Sequence, residues 1–177
     1  MRNLIVFALL ALMACNSQPK DMVEVKGPFD SKSYKSNNRY FRAVSSGESQ
    51  NLETSKSKAR LVANQRLASA VQTDIKMVSE SYQNERNIEN NLGDFGERFQ
   101  QLTREVLNQR LDDVKTIGEK TYVKKDKNYI TWIAVEMHKK DYYKRLKREA
   151  KENAKLTEKE KKMVEEMIDD AIEKAED

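Results

Sequence analysis

The chain contains a single cysteine, Cys15, and this feature most constrains how it can fold. One cysteine cannot form a disulfide within the chain, so the folded state must be stabilised by burying apolar side chains. A length of 177 residues is enough for one domain with a modest core. The sequence therefore predicts a single domain without a disulfide framework.

Cys15 also follows a short apolar run that begins at Leu4. Arg2 before the run, the run itself and the small Ala14 after it are the three parts of a secretory signal peptide. The run is too short to span a bilayer, which needs roughly 20 residues. We therefore expect residues 1–14 to be a signal peptide.

The four residues at the cleavage point resemble the bacterial lipobox, in which a cysteine sulfur receives a diacylglycerol and the new amino group is then acylated. These residues are Leu12, Met13, Ala14 and Cys15. Met13 is a less usual residue at its position. The resemblance implies a mature chain anchored in a membrane through Cys15, since two or three acyl chains bind far more strongly than one. An ordinary secretory peptide cut near a cysteine is the alternative.

The mature chain carries a nearly balanced charge. The sequence has 33 basic and 29 acidic side chains, and removal of Arg2 with the signal leaves 32 against 29, or +3. Nucleic acid is a disfavoured partner because the charge is small and the chain leaves the cytoplasm.

Residues 15–38 are predicted to be a tether that links the lipid to the domain. From Asn16 to Asn38 the sequence is polar, contains both prolines and shows neither helical nor strand periodicity. A flexible coil of this length spans roughly 25–30 Å between its ends.

Residues 39–150 alternate strand and helix patterns. The run from Tyr40 to Val44 predicts a strand, and the serine-rich cluster 45–49 predicts the turn that ends it. Apolar residues at steps of three and four then predict an amphipathic helix that begins near Leu52. Between Thr73 and Tyr82 the spacing fits a helix and a strand equally well.

In the second half of the domain a helix pattern comes before two strand patterns. A stripe from Leu92 to Val106 predicts a second helix, after a polar connection from Gln83 to Asn91. Alternation in 114–123 and 129–137, on either side of the charged turn 124–128, predicts a β-hairpin whose second strand is an inner strand. We therefore expect an α+β fold: a small antiparallel sheet of about three strands packed with two amphipathic helices, plus a C-terminal helical extension.

Two helical segments of opposite charge end the chain. Residues 138–151 carry seven cations against two acids, whereas residues 157–177, the predicted helical part of a charged extension 151–177, carry nine acids against four lysines. The second segment begins with a capping box from Thr157 to Glu160. The charges favour an antiparallel pair within one chain or between two copies, each exposed ion pair contributing at most about 1 kcal/mol. One long solvated helix is an equally supported alternative.

The sequence supplies few residues for catalysis. His138 is the only histidine, Cys15 is consumed by the lipid, and the five glycines form no phosphate-binding loop. The adjacent Asp112 and Asp113 would point to opposite faces of a strand. His138 ends a strand beside lysines and is predicted to face solvent. We therefore expect no enzyme activity, no metal ion and no cofactor.

The order of these elements resembles the LPP20-type bacterial lipoproteins. The likeness rests on the lipobox, the tether, an aromatic strand ending in Ser-Ser-Gly, the Ala- and Arg-rich helix 59–68 and the late strand 129–135. The domain, over 40–148, is also similar to the amino-terminal region of a flagellar assembly protein. The resemblance implies an α+β domain in the periplasm, lipid-anchored to the outer membrane. Asn16 is compatible with that location, because an aspartate there signals inner-membrane retention in many such bacteria.

Two functions fit these observations. The first is an interaction or scaffold module of the cell envelope, whose partner is an envelope protein or a second copy. The second is a binder of anionic envelope polymer or lipid, which depends on the basic segment 139–151. Its candidate residues are Lys139, Lys140, Lys144, Arg145, Lys147 and Arg148.

Overall fold

The computed structural model describes residues 26–86, 93–111 and 114–176. The predicted signal peptide, the lipobox and the pair Asp112 and Asp113 lie outside these residues. The elements in chain order are β1 (Tyr40–Ser49), α1 (Leu52–Glu85), α2 (Gly93–Arg110), β2 (Lys115–Val123), β3 (Tyr129–His138), α3 (Lys139–Glu152) and α4 (Glu158–Glu176). The predicted α+β fold is confirmed.

The three strands form one antiparallel sheet in the order β1-β3-β2. β2 and β3 form the predicted hairpin, and β3 is the inner strand, as its two-sided apolar pattern predicts. Phe41 pairs with Met137 near one end of the sheet, and Gly47 pairs with Thr131 near the other. These four residues are buried on the face that α1 covers.

β1 extends through the serine-rich cluster 45–49, so the predicted turn at this position is wrong. Ser45 Oγ donates a hydrogen bond to the carbonyl of Ala59 in α1, at 2.9 Å. A Cβ added to Gly47 would lie 2.6 Å from the backbone nitrogen of Ala59. The serines and the glycine therefore allow a helix to lie directly on the strand. The chain turns only after Ser49, where Asn51 caps α1 by accepting a hydrogen bond from the Thr54 amide.

α1 is one helix of 34 residues, which includes the ambiguous stretch 73–82 and ends three residues into the predicted polar connection. Besides Tyr82 near the end of the helix, its buried side chains recur at every fourth position. They are Ser55, Ala59, Ala63, Leu67, Val71 and Ile75. At 100° per residue this spacing rotates the buried stripe by about 200° from the first of these residues to the last. The first half of α1 therefore faces the sheet and the second half faces α2 and α4.

α3 and α4 form an antiparallel pair within the chain, which confirms the predicted charge pairing and excludes the single long helix. The chain reverses between Asn153 and Thr157, where the buried Leu156 anchors the turn. The predicted capping box is present: Thr157 N–H donates to Glu160 at 2.8 Å. Val164, Met167 and Ile168 in α4 join the core of the domain, so α4 is an integral part of that core.

Residues 26–38 lie across the sheet on the face opposite α1, and we call them the strap. A Cβ added to Gly27 would lie 2.9 Å from the Trp132 ring, and one added to Gly118 would lie 2.6 Å from the Phe29 ring. Further along, Ser36 Oγ accepts a hydrogen bond from the Arg42 amide at 2.8 Å. The second part of the predicted tether is therefore packed on the domain, with Gly27 against the Trp132 ring and the Phe29 ring against Gly118.

Candidate functional surfaces

The predicted basic segment forms α3. Its first lysine, Lys139, contacts residues of α1 and β1. Lys139 Nζ lies 2.6 Å from Asp74 of α1 and 4.7 Å from the centre of the Phe41 ring. Its side chain is 15% exposed. A lysine with a carboxylate on one side and an aromatic ring on the other is already neutralised. Lys139 therefore joins α3 to α1 and β1 and offers little charge to a ligand.

Asp74 also accepts a hydrogen bond from Tyr143 of α3. Burial raises the pKa of the Tyr143 hydroxyl above its ordinary value, and the hydrogen bond to Asp74 raises it further. Burial likewise raises the pKa of Tyr142, whose hydroxyl donates to the carbonyl of Thr103 in α2. Both hydroxyls therefore stay protonated and act as donors that hold α3 against its neighbours.

The central cations of α3 are paired with carboxylates of the same chain. Lys147 Nζ lies 2.7 Å from Asp169 and 3.0 Å from Glu165, both in α4. Burial lowers the pKa of Lys147, but the hydrogen bonds with these two carboxylates outweigh it and raise the pKa overall. Arg145 lies 2.8 Å from Glu149, one turn along α3. These contacts hold α3 and α4 together and compensate the charge of the basic segment.

Two of the six candidate cations remain at the surface as predicted. Lys144 and Arg148 are exposed, four residues apart on α3, and form no ion pair with any other residue of the described ranges. Lys140 is partly buried at the start of α3. The structure therefore does not assemble the six side chains into one positively charged surface.

His138 was predicted to face solvent from its position among lysines, but its side chain is partly buried. Its ring packs edge-on against Tyr40 with 5.1 Å between ring centres, and Nδ1 lies 3.4 Å from Asp141. Within the described part of the chain, no three His, Cys, Asp or Glu side chains are grouped so as to hold a metal ion.

A groove of about 430 Å³ lies between the second half of α1 and α2. Ile75 and Phe99, both buried, form its apolar floor. Its walls are polar: they are built from Gln72, Thr73, Lys76, Ser79, Glu80, Gln83, Gln100, Thr103 and Arg104. Gly96 also lines the groove and borders open space, since a Cβ there would have nothing within 4 Å. A groove with an apolar floor and polar walls suits an amphipathic peptide segment. The side-chain amides of the walls can form hydrogen bonds with the backbone of that segment.

Sequence patterns could not reveal this groove. Phe99 and its neighbours predict a core stripe, and the structure confirms that Phe99 is buried. The groove lies between α1 and α2, so it depends on how these two helices pack against each other. The only signal in the sequence is the glycine at position 96 inside a helical pattern.

The turn between β2 and β3 presents a different surface, which we call the hairpin tip and define as residues 122–128. Tyr122 and Val123 are 49% and 64% exposed. Three lysines follow them, at positions 124, 125 and 127. Lys124 Nζ and the side-chain amide of Asn128 both donate to Glu48 of β1, at 2.9 and 3.3 Å. The hairpin tip is therefore tied to the sheet.

Comparisons of this chain with protein-family models, with curated proteins and with solved structures find no match. The resemblance to the LPP20-type lipoproteins therefore stays a prediction. Among the helices that the structure describes, each is too short or too polar to cross a membrane.

Proposed function

We propose that this chain is a lipid-anchored lipoprotein of the bacterial outer membrane, whose α+β domain acts in the periplasm as a non-enzymatic interaction or scaffold module. The observation that carries the proposal is the sequence from Leu12 to Cys15, where a short apolar run ends in a small residue and a cysteine. Two or three acyl chains on one sulfur and one amino group suffice for stable anchoring.

The groove between α1 and α2 supports a role in binding a protein. It combines a buried apolar floor with polar walls at the surface of a small domain. We propose that it accepts a helical or extended segment of an envelope protein or of a second copy. The alternative, binding of anionic polymer through 139–151, loses support because Lys139, Arg145 and Lys147 already pair with carboxylates.

The anchoring proposal is tested by Cys15→Ser in the full chain. We expect the protein to move from the membrane fraction to the soluble fraction, with Ser17→Ala as the matched control that stays in the membrane. Membrane fractionation that is unchanged by Cys15→Ser would contradict the proposal. Asn16→Asp tests the location: it should shift the protein towards inner-membrane vesicles if the outer membrane is its normal destination.

The partner proposal is tested with a photo-crosslinking amino acid placed in living cells. Gln100 lies on the exposed rim of the groove, and Arg148 is an equally exposed control on α3. We expect discrete protein adducts from position 100 and few from position 148. Few adducts from position 100 and many from position 148, together with binding of an anionic polymer that weakens steeply with salt, would favour the anionic-polymer function.

A further inference from the structure

The two ends of the sheet differ in what they expose. One end carries Tyr40 and His138, where the basic helix α3 begins. The other end carries the hairpin tip, where Tyr122 and Val123 project into solvent. Among the described residues, only Leu61 and Met77, both in α1, are other large apolar side chains with comparable exposure. The hairpin tip thus carries two of these four side chains, which lie on opposite faces of β2 at its end.

The charges around this pair are mostly positive. Lys120 of β2 and the three lysines of the hairpin tip stand against Glu48 and Asp126, which leaves a surplus of two positive charges. These three kinds of side chain, aromatic, aliphatic and basic, suit different layers of a phospholipid surface. The tyrosine suits the headgroup region, the valine the upper acyl region, and the lysines the anionic headgroups.

The strap places the start of the described chain near the same end of the sheet. Gly27 packs on Trp132, which is three residues from the end of β3 at Tyr129, or roughly 10 Å. From there the strap runs towards Arg42 and Tyr40, at the opposite end. The chain that leads back to Cys15 therefore leaves the domain on the half of the sheet that carries the hairpin tip.

The reach of that chain is short. Residues 16–25 separate Cys15 from the strap, and even fully extended they span at most about 35 Å. A lipid on Cys15 therefore leaves the hairpin tip within reach of the bilayer surface. The groove is separated from it by much of α1, because Gln72 to Gln83 lie roughly 25–40 Å along the helix from Ser55.

We propose that the hairpin tip is a second membrane contact, which docks on the phospholipid headgroups of the bilayer that holds the acylated Cys15. This inference rests on the proposed function, because the anchor brings the tip to the lipid. Docking fixes the orientation of the domain: the sheet end with Val123 faces the membrane, and the groove points into the periplasm. The contact with Glu48 keeps the tip rigid, so docking costs little conformational entropy.

The test uses the full lipidated chain with a single added thiol, since Cys15 is blocked by lipid. A fluorophore is attached at Val123→Cys, with Met77→Cys as the control of similar exposure at 56%. The protein is reconstituted in vesicles of phosphatidylethanolamine and phosphatidylglycerol that contain a spin-labelled headgroup lipid. We expect the label at position 123 to be quenched several-fold more strongly than the label at position 77.

A second variant tests the charges. Replacing Lys125 and Lys127 by glutamine should lower the quenching at position 123 towards the level at position 77, because each lysine near an anionic surface changes the binding constant by about five-fold. Equal quenching at both positions in vesicle-bound protein would overturn the docking proposal and leave the anchor intact. Protein that does not enter the vesicle fraction would overturn both proposals.

Discussion

The two halves of α1 use the same spacing of buried residues for different partners. The sheet half buries Ser55, Ala59 and Ala63, whereas the half that faces other helices buries Val71 and Ile75. A helix with small side chains can lie close to a sheet, and larger side chains fill the wider space between helices. The comparison teaches that side-chain size along a regular stripe, and not the spacing alone, indicates which kind of layer a helix contacts.

The sheet half depends on contacts between backbones. A Cβ at Gly47 would lie 2.5 Å from the Ser55 carbonyl oxygen. Ser55 Oγ donates to the Gly47 carbonyl at 2.9 Å and accepts from the Thr131 amide at 3.0 Å. The helix thus supplies hydrogen bonds to two adjacent strands. Such an interface tolerates added volume poorly.

We therefore expect Gly47→Ala, which adds a single methyl group, to have the largest effect on stability. The added carbon meets backbone atoms that cannot move without separating α1 from β1, and we expect a loss of more than about 3 kcal/mol in the free energy of unfolding. Urea denaturation followed by circular dichroism measures it. Gly96→Ala in α2 is the matched control: the site is open and the added methyl favours the helix, so stability should rise by up to about 1 kcal/mol. Equal effects at the two glycines would refute the close-packing argument.

Ile75→Ala tests the half of α1 that packs on helices. Removing most of a buried side chain leaves a cavity, and we expect a loss of about 2–4 kcal/mol. Met77→Ala, two residues away and largely exposed, should change stability by less than about 0.5 kcal/mol. If Ile75→Ala lowered the free energy of unfolding as little as Met77→Ala does, the helical layer would not be a packed core.

Ser55→Ala tests the hydrogen bonds of the sheet half. The change leaves the Thr131 amide and the Gly47 carbonyl without this buried partner, which we expect to cost about 2 kcal/mol. Ser69→Ala is the control, because the exposed Ser69 hydroxyl bonds only the carbonyl of its own helix turn. Thermal unfolding of the two variants should differ clearly; similar midpoints would show that the Ser55 contacts contribute little.

Glu160→Gln tests an ionic contact between α2 and α4 and should have the smallest effect. Burial raises the pKa of Glu160, but the hydrogen bonds from Thr157 and the Arg98 guanidinium outweigh it and lower the pKa. A carboxyl with a lowered folded pKa stabilises the fold above its unfolded pKa of about 4.3, and this stabilisation disappears as the pH falls through the folded value.

We therefore expect Glu160→Gln to cost about 1 kcal/mol at neutral pH and nearly nothing in strong acid. Unfolding in urea at several pH values measures the difference between wild type and variant. Glu158→Gln is the control, because its side chain is exposed and pairs only with Lys161 one turn away. A cost for Glu160→Gln that does not change with pH would exclude the charge as its origin.

Local periodicity in the sequence predicted the strands and helices well. Alternation identified β2 and β3, and steps of three and four identified α1, α2 and α4. The end of β1 was mispredicted because serine and glycine are typical of turns, while the groups that hold Ser45 in a strand lie 14 positions away in α1. The packing of the strap depends on a still more distant pair, Gly27 and Trp132.

The candidate surfaces were predictable only in part. A run of lysines and arginines predicts positive charge, but it does not show that Asp74 lies beside Lys139 and that Glu165 and Asp169 lie beside Lys147. The groove and the orientation of the hairpin tip depend on how whole elements lie relative to one another. Residue spacing within one element carries no information on either.

The position of the strap also limits the order in which segments of the chain can fold. Its surface on the sheet includes Trp132 and Gly118, which are synthesised about a hundred residues after Gly27 and Phe29. The strap is the first described segment to be synthesised. It can therefore pack on the sheet only after the β2–β3 hairpin has been made, near the end of synthesis. Between the completion of the hairpin and the packing of the strap, the Trp132 face of the sheet is uncovered and exposes apolar surface to other chains.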